Sequence, residues 1–477
     1  MTELAFLPAI AIADKIRGRE IGCLEALDYF IARTEKHNPA INAIVVKDYD
    51  RARSRARQLD GAAPAGPLYG VPMTVKEAFN LAGTPTTFGL PQFRDNIATH
   101  NATAVDRLLA AGAIIFGKTN VPPWLSDGQS DNPIHGRTNN PWDLARTPGG
   151  SSGGSSAALA AGMTALELGS DIASSIRNPA HFCGLFGLKT TFGICPGRGH
   201  AVNEDVQDAD INVIGPLARS ADDLALALSV IAGPDPTAAR AYRLALPPCA
   251  KQALKEFRVA VVLSDDAFEV DESVQAPLRA LADFLAREGA AVRFERPDID
   301  TRRLFQLNVT LVRAATATRL SDAEYAAAAA RAKTLDLGKP DYGTATLRGN
   351  TLSHRDWLTL NNERHRLRRV WNEFFQRFDV LLCPPTPTPA FPHKAEPFPE
   401  RTLTVNGKQL PYGDQTFWAA YGGTTYHPAA IAPIGLTQGG LPVGVQIIGA
   451  QYADLTCIHF ARLLERQYRA FTPPPGY

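Results

Sequence analysis

Residues 147–189 read TPGGSSGGSSAALAAGMTALELGSDIASSIRNPAHFCGLFGLK, the densest run of glycine and serine in the chain. Flexible Gly/Ser linkers have no periodic flanks. This run does: it leads into the helix-like SSAALAAGM (155–163), the strand-like TALEL (164–168) and a second small-residue turn, GSDIASS (169–175). The reading is therefore two tight backbone loops, each presenting serine hydroxyls and free N–H groups. Glycine permits the close approach and positive φ that such loops need.

Outward from this stretch, secondary-structure signals alternate. In LYGVPMTVKEAFN (68–80), Met73 and Val75 alternate with Thr74 and Lys76, which predicts a short strand ending at Lys76. THNATAVDRLLAAGAIIFGKTN (99–120) reads as a helix, a glycine and a buried strand, and 121–146 as a long irregular segment. RVAVVL (258–263), VQAPLRALADFLAREGA (274–290) and AVRFE (291–295) form one more strand–helix–strand unit. Residues 301–377 read as mainly helical, VLLC (380–383) and LPVGVQIIG (441–449) as strands, and 453–468 as a closing amphipathic helix. This alternation predicts an α/β fold with a large mixed, mostly parallel sheet covered by helices on both faces. Residues 1–477 are read as one domain, with 235–430 a partly helical elaboration over the substrate side.

The 477 residues carry 49 basic and 48 acidic side chains, a net charge of +1 that gives no electrostatic case for nucleic acid or an anionic membrane. The basic runs RARSRAR (51–57) and RHRLRR (364–369) lie in helical patterns and read as solvated faces. The six cysteines are scattered without a CxxC and read as reduced, and His181, Cys183 and Cys195 read as packing, not metal ligands. The N-terminus lacks the leading basic residues of a signal peptide, and no uncharged apolar run is long enough to span a bilayer. A cytoplasmic enzyme without metal or organic cofactor is the expectation.

Chemistry centres on Ser151, Ser152, Ser174 and Ser175. A serine hydroxyl is a weak nucleophile and needs a base and an oxyanion stabiliser. Successive backbone N–H groups from Ile172 to Ser175, at a turn into a helix, suit the second need. For the base, two options stand open. Gly149–Gly153 matches G-x-S-x-G, which would call for a histidine, but no strand precedes it and His354, His427 and His459 stand in no telling context. Lys76, at an apolar strand end, could be held neutral by burial. Asp171 is suited to capping the following helix or holding Arg177.

GVPMTVKEAFN, GRTNNPWDLARTPGGSSGGSSAALAAGM and LELGSDIASSIRNPAHFCGLFGLK, in this order and spacing, resemble the amidase signature family, as does the closing GLTQGGLPVGVQIIG. The resemblance implies a Ser–cis-Ser–Lys triad: Ser175 as nucleophile, Ser151 as bridging serine after a cis peptide, and Lys76 as base. Backbone N–H groups of Ile172, Ala173, Ser174 and Ser175 would hold the oxyanion. Trp124, Leu125 and Gln129 fall in the segment that flanks the substrate in the family, and the aromatic Phe417, Trp418 and Tyr421 are nominated as a pocket wall. The family usually has two glycines where this chain has Ala173 and Ser174, which leaves Ser174 as a competing hydroxyl. The expected activity is hydrolysis of an apolar or aryl small-molecule amide, by a monomer or homodimer. Alternatives are the amidase component of a tRNA-dependent amidotransferase, against which Ile172 and Asn178 argue, a carbamate or ester hydrolase on the same triad, and a non-catalytic binding protein.

Overall fold

The computed structural model describes residues 3–203, 208–339 and 341–477. Eleven strands form one sheet, in the order Ile44–Lys47, Ile114–Thr119, Pro72–Lys76, Glu167–Asp171, Val213–Ala218, Phe186–Lys189, Ala429–Leu436, Pro442–Gly449, Val380–Cys383, Arg258–Val261 and Ala291–Arg293. The large mixed sheet with helical layers is as expected, but it is not mostly parallel. The strands at 72–76, 114–119 and 167–171 pair in parallel at one end, and those at 258–261, 291–293 and 380–383 at the other. The middle is antiparallel, which makes six of the ten pairings antiparallel.

Three of the middle strands, at 186–189, 213–218 and 429–436, carry no clear strand signal in the sequence. Pro216 and Pro433 lie inside two of them, and proline argues against an interior strand. The fold accommodates them locally: the register shifts between Pro433 and Gly435, and Gly215 lets the neighbouring strand close, since a Cβ there would sit 2.0 Å from the Leu188 carbonyl oxygen.

Strand alternation sorts side chains to two faces. Ile214 and Ala218 join one apolar cluster with Leu224 and Leu228 of the helix Ala221–Ile231. Leu217, between them, joins the other, with Leu159 of Gly153–Ala160 and Ile176, Ala180 and Cys183 around Arg177–Cys183. Helices therefore cover both faces.

Segment 235–430 supplies three complete strands to the sheet: Ala291–Arg293 pairs with Arg258–Val261, which pairs with Val380–Cys383, which in turn pairs with Pro442–Gly449. What stands apart is the helical run from Thr301–Ala315 to His354–Arg377 and the hairpin Thr402–Val405/Lys408–Pro411. No helix among the described residues is long and apolar enough to cross a membrane.

Candidate active site

The glycine-serine run is a buried structural element: every residue from 147 to 171 is shielded from solvent. The helix starts at Gly153, earlier than its apolar pattern suggests, because small residues let its first turn enter the core. A Cβ on Gly154 would lie 2.3 Å from the Asn120 nitrogen, and one on Gly150 2.4 Å from the Asp127 oxygen. The following strand is Glu167–Asp171, shifted past TALEL into the GSD turn. The peptide between Gly150 and Ser151 is cis.

Lys76 ends its strand with no solvent exposure. Its Nζ lies 2.7 Å from Ser151 Oγ and 3.0 Å from Ser170 Oγ. Burial lowers its pKa to about 7; Asp171 opposes this and Arg319 reinforces it. A lysine in that state is a competent acceptor near neutral pH. Ser170 was not singled out in the sequence. The signal that points to it is strand alternation, which places Leu168 and Ser170 on the face opposite Glu167 and Asp171.

The second loop is tied to the first, since the Ser152 N–H donates to the Ser175 carbonyl at 3.1 Å. Ser175 lines a cavity together with Ser151, Ser170, Ile172 and Ala173. Its hydroxyl makes no intramolecular hydrogen bond among the described residues and is open to the cavity. No histidine lines that cavity. His427 is buried on Thr425, and His181 accepts from the Gly444 N–H, so the G-x-S-x-G reading finds no base here.

Asp171 organises the loop. Its carboxylate accepts from the N–H groups of Ser174 (2.9 Å), Ile176 (3.0 Å) and Arg177 (3.3 Å), and from Arg177 Nε and Nη2 at 2.9 and 2.8 Å. These contacts hold its pKa well below the usual carboxylate range. They also correct one expectation: the Ser174 N–H is committed to Asp171 and is not available to an oxyanion. The N–H groups of Ile172, Ala173 and Ser175 have no intramolecular acceptor among the described residues, and these three form the open donor set.

Ser174 has φ +108° and a buried hydroxyl without a hydrogen-bond partner among the described residues. Both are unfavourable for an L side chain in a turn where glycine is at ease. Ser174→Gly is expected to stabilise the protein by about 1 kcal/mol in chemical denaturation, with active-site labelling retained. Loss of labelling would instead make Ser174 the reactive hydroxyl.

The pocket nominations fare unevenly. Leu125 lines the cavity. Trp124 does not; its ring packs on Phe88 and Phe93. Gln129 is turned away, with its amide holding the Lys394 backbone at 2.8 and 3.1 Å. Phe417, Trp418 and Tyr421 are core residues, at most 1% exposed, and do not reach this cavity. Phe417 stacks on Phe268 at 3.9 Å, and Trp371 covers Tyr421. The apolar wall comes instead from Ile172, Val309, Val312, Phe398 and Tyr412, and the polar wall includes Asn178, Asn212, Gln415, Asp127, Arg313 and Arg319. No group of His, Cys, Asp and Glu that could hold a metal is found among the described residues.

A family model described as Amidase matches residues 25–458. The chain is 32% identical over 474 residues to an indoleacetamide hydrolase of Bradyrhizobium diazoefficiens, covering 96% of this chain and 86% of that one. It is 33% identical over 491 residues to an acylamidase of Rhodococcus erythropolis, covering 98% and 96%. A component of the glutamyl-tRNA(Gln) amidotransferase of Nitratidesulfovibrio vulgaris is 31% identical over 515 residues, with both chains fully covered. Among solved structures, a bacterial aryl acylamidase superposes with a TM-score of 0.81 at 26% identity, covering 97% of this chain and 96% of that one.

Proposed function

The chain belongs to the amidase signature family and is an amide hydrolase, and we propose that it cleaves a small-molecule carboxylic amide through an acyl-enzyme on Ser175. The observation that carries this reading is the 2.7 Å contact between Lys76 Nζ and Ser151 Oγ in a site whose burial brings the lysine pKa to about 7.

Neutral Lys76 takes the proton of Ser151 as Ser151 takes that of Ser175. The Ser175 oxygen attacks the amide carbonyl, and the oxyanion is held by the N–H groups of Ile172, Ala173 and Ser175. Ser151 returns a proton to the departing nitrogen, the C–N bond breaks, and Ser151 is reprotonated by Lys76. Water then attacks the acyl ester along the same proton path, releasing the acid and restoring Ser175. Ser170 positions the lysine amine from its other side. The hydroxyls of Ser151 and Ser175 are not hydrogen-bonded to each other before substrate binds, and such contacts often tighten only in the reactive complex.

The base is active when neutral, so kcat/KM is expected to rise tenfold per pH unit below about pH 7 and to level off above it. A profile measured on an anilide substrate checks this. A flat profile across that range would remove Lys76 from the proton path.

The apolar wall favours an aryl or alkyl amide, in keeping with the relatives named for aryl acylamide and indoleacetamide hydrolysis. The amidotransferase relatives give a second reading, in which this chain works inside a multi-protein assembly of that kind. Co-purification of stable partners, with glutaminase activity gated by charged tRNA, would favour it. A cytoplasmic location fits six cysteines of which none is paired.

A further inference from the structure

Buried or half-buried arginines in this protein generally have their charge answered. Arg177 is held by Asp171, Arg364 by Asp210, Arg401 by Asp127 and Arg303 by Glu363. Arg219 has no carboxylate but is wrapped by the carbonyl oxygens of Leu7, Leu159, Thr164 and Ala165. Arg313 and Arg319 differ. Both line the cavity at Ser175, and among the described residues neither meets a carboxylate.

Each is fixed at one point only. Arg313, in the last turn of Thr301–Ala315, donates through Nη2 to the Tyr342 hydroxyl at 2.8 Å, with its guanidinium over that ring. Arg319 donates through Nη1 to the Trp124 carbonyl at 2.7 Å, with its guanidinium over the indole. A guanidinium carries five N–H donors in a planar fork, so most of each fork is left for the cavity. The cavity's own acid cannot serve them, because the Asp127 carboxylate already accepts from Arg401 Nη1 at 2.6 Å and the Tyr412 hydroxyl at 2.7 Å. Burial and the neighbouring Arg313 push the Arg319 pKa down to about 10, which still leaves Arg319 cationic at neutral pH.

We propose that Arg313 and Arg319 form an anion subsite, so that the preferred substrate is an amide with an apolar or aryl body and a carboxylate beyond it. This rests on the seryl hydrolase reading above and narrows it. A carboxylate matches a guanidinium fork in shape and charge, and two adjacent cations facing an aqueous cavity gain more from one such group than from any neutral one. The apolar wall at Val309, Val312 and Tyr412 would hold the body between the scissile carbonyl and the subsite.

The test uses two matched series of alkyl fluorophosphonates of graded chain length, one ending in a carboxylate and the other in its methyl ester. Adduct formation on Ser175 is followed by intact-protein mass spectrometry, with rates normalised to reaction with hydroxide. At one chain length the acid is expected to react about ten-fold or more faster than the ester, and the advantage is expected to shrink with added salt. Arg313→Gln and Arg319→Gln should bring the acid-to-ester ratio towards one. The ratio in the wild-type protein needs no variant to fold. Equal rates, or faster labelling by the esters, at every length overturn the subsite while leaving the nucleophile in place. No adduct from either series overturns the seryl reading itself, and the subsite with it.

Discussion

Ser175→Ala is expected to lower kcat by roughly 10⁴–10⁶-fold, with the protein still folded. No neighbouring hydroxyl stands ready to replace the nucleophile: Ser151 is 1% exposed and held on Lys76, and Ser174 is 4% exposed with its N–H turned onto Asp171. Lys76→Ala is expected to give a loss of the same order, because among the described residues it removes the only side-chain acceptor in contact with Ser151 that can take up its proton. The double variant should be little worse than either single one, since residues that act as one unit do not contribute additively. Steady-state kinetics on an anilide, with fluorophosphonate labelling of the same preparations, measures all three. A Ser175→Ala protein that still forms the adduct and turns over would end the assignment.

The largest effect on stability is expected at Asp171. Its carboxylate is fully buried and takes five hydrogen bonds, two of them from the guanidinium of Arg177, which is itself 1% exposed. Asp171→Ala leaves the Arg177 cation without its partner inside the core, and removing one member of such a pair costs about 3–5 kcal/mol. It also frees the Ser174, Ile176 and Arg177 N–H groups, so the loop that presents Ser175 loses its shape along with the stability. Urea denaturation at neutral pH measures the first effect, and labelling of the protein that remains folded measures the second. The pH dependence has a defined sign. The folded pKa of Asp171 lies below that of an unfolded aspartate, near 3.9, so its contribution is complete above about pH 4 and fades as acid protonates it. The gap between wild type and variant should therefore narrow only in strong acid. A gap of less than 1 kcal/mol at pH 7 would mean that Arg177 finds other acceptors, with the Ala419 carbonyl and Gln446 the nearest at hand.

Much of the site is legible along the chain because its parts are local. The glycines at 149, 150, 153 and 154 announce a backbone that must pass close to its neighbours, and the period-two pattern before Lys76 places that lysine at a strand end. The serine-rich turns mark where hydroxyls and N–H groups collect. The strands through Pro216 and Pro433 are not legible, because the register shift and the close contact that admit them arise only when those strands pair with 442–449 and 186–189. The aromatic cluster at 417–421 misled for a related reason. A row of rings looks the same whether it faces a ligand or, as here, Phe268 and Trp371.

By itself, the sequence determined the two loops, the lysine and the α/β alternation, since each is a short-range consequence of residue size, backbone freedom and hydrophobic period. Only the tertiary structure decided which N–H groups stay open and which are spent on Asp171. It likewise decided that the cavity wall is drawn from helices more than a hundred residues beyond the serines, with two arginines facing inward. Burial, pairing and unpaired charge depend on what distant segments bring to the same place, and no local pattern carries that information.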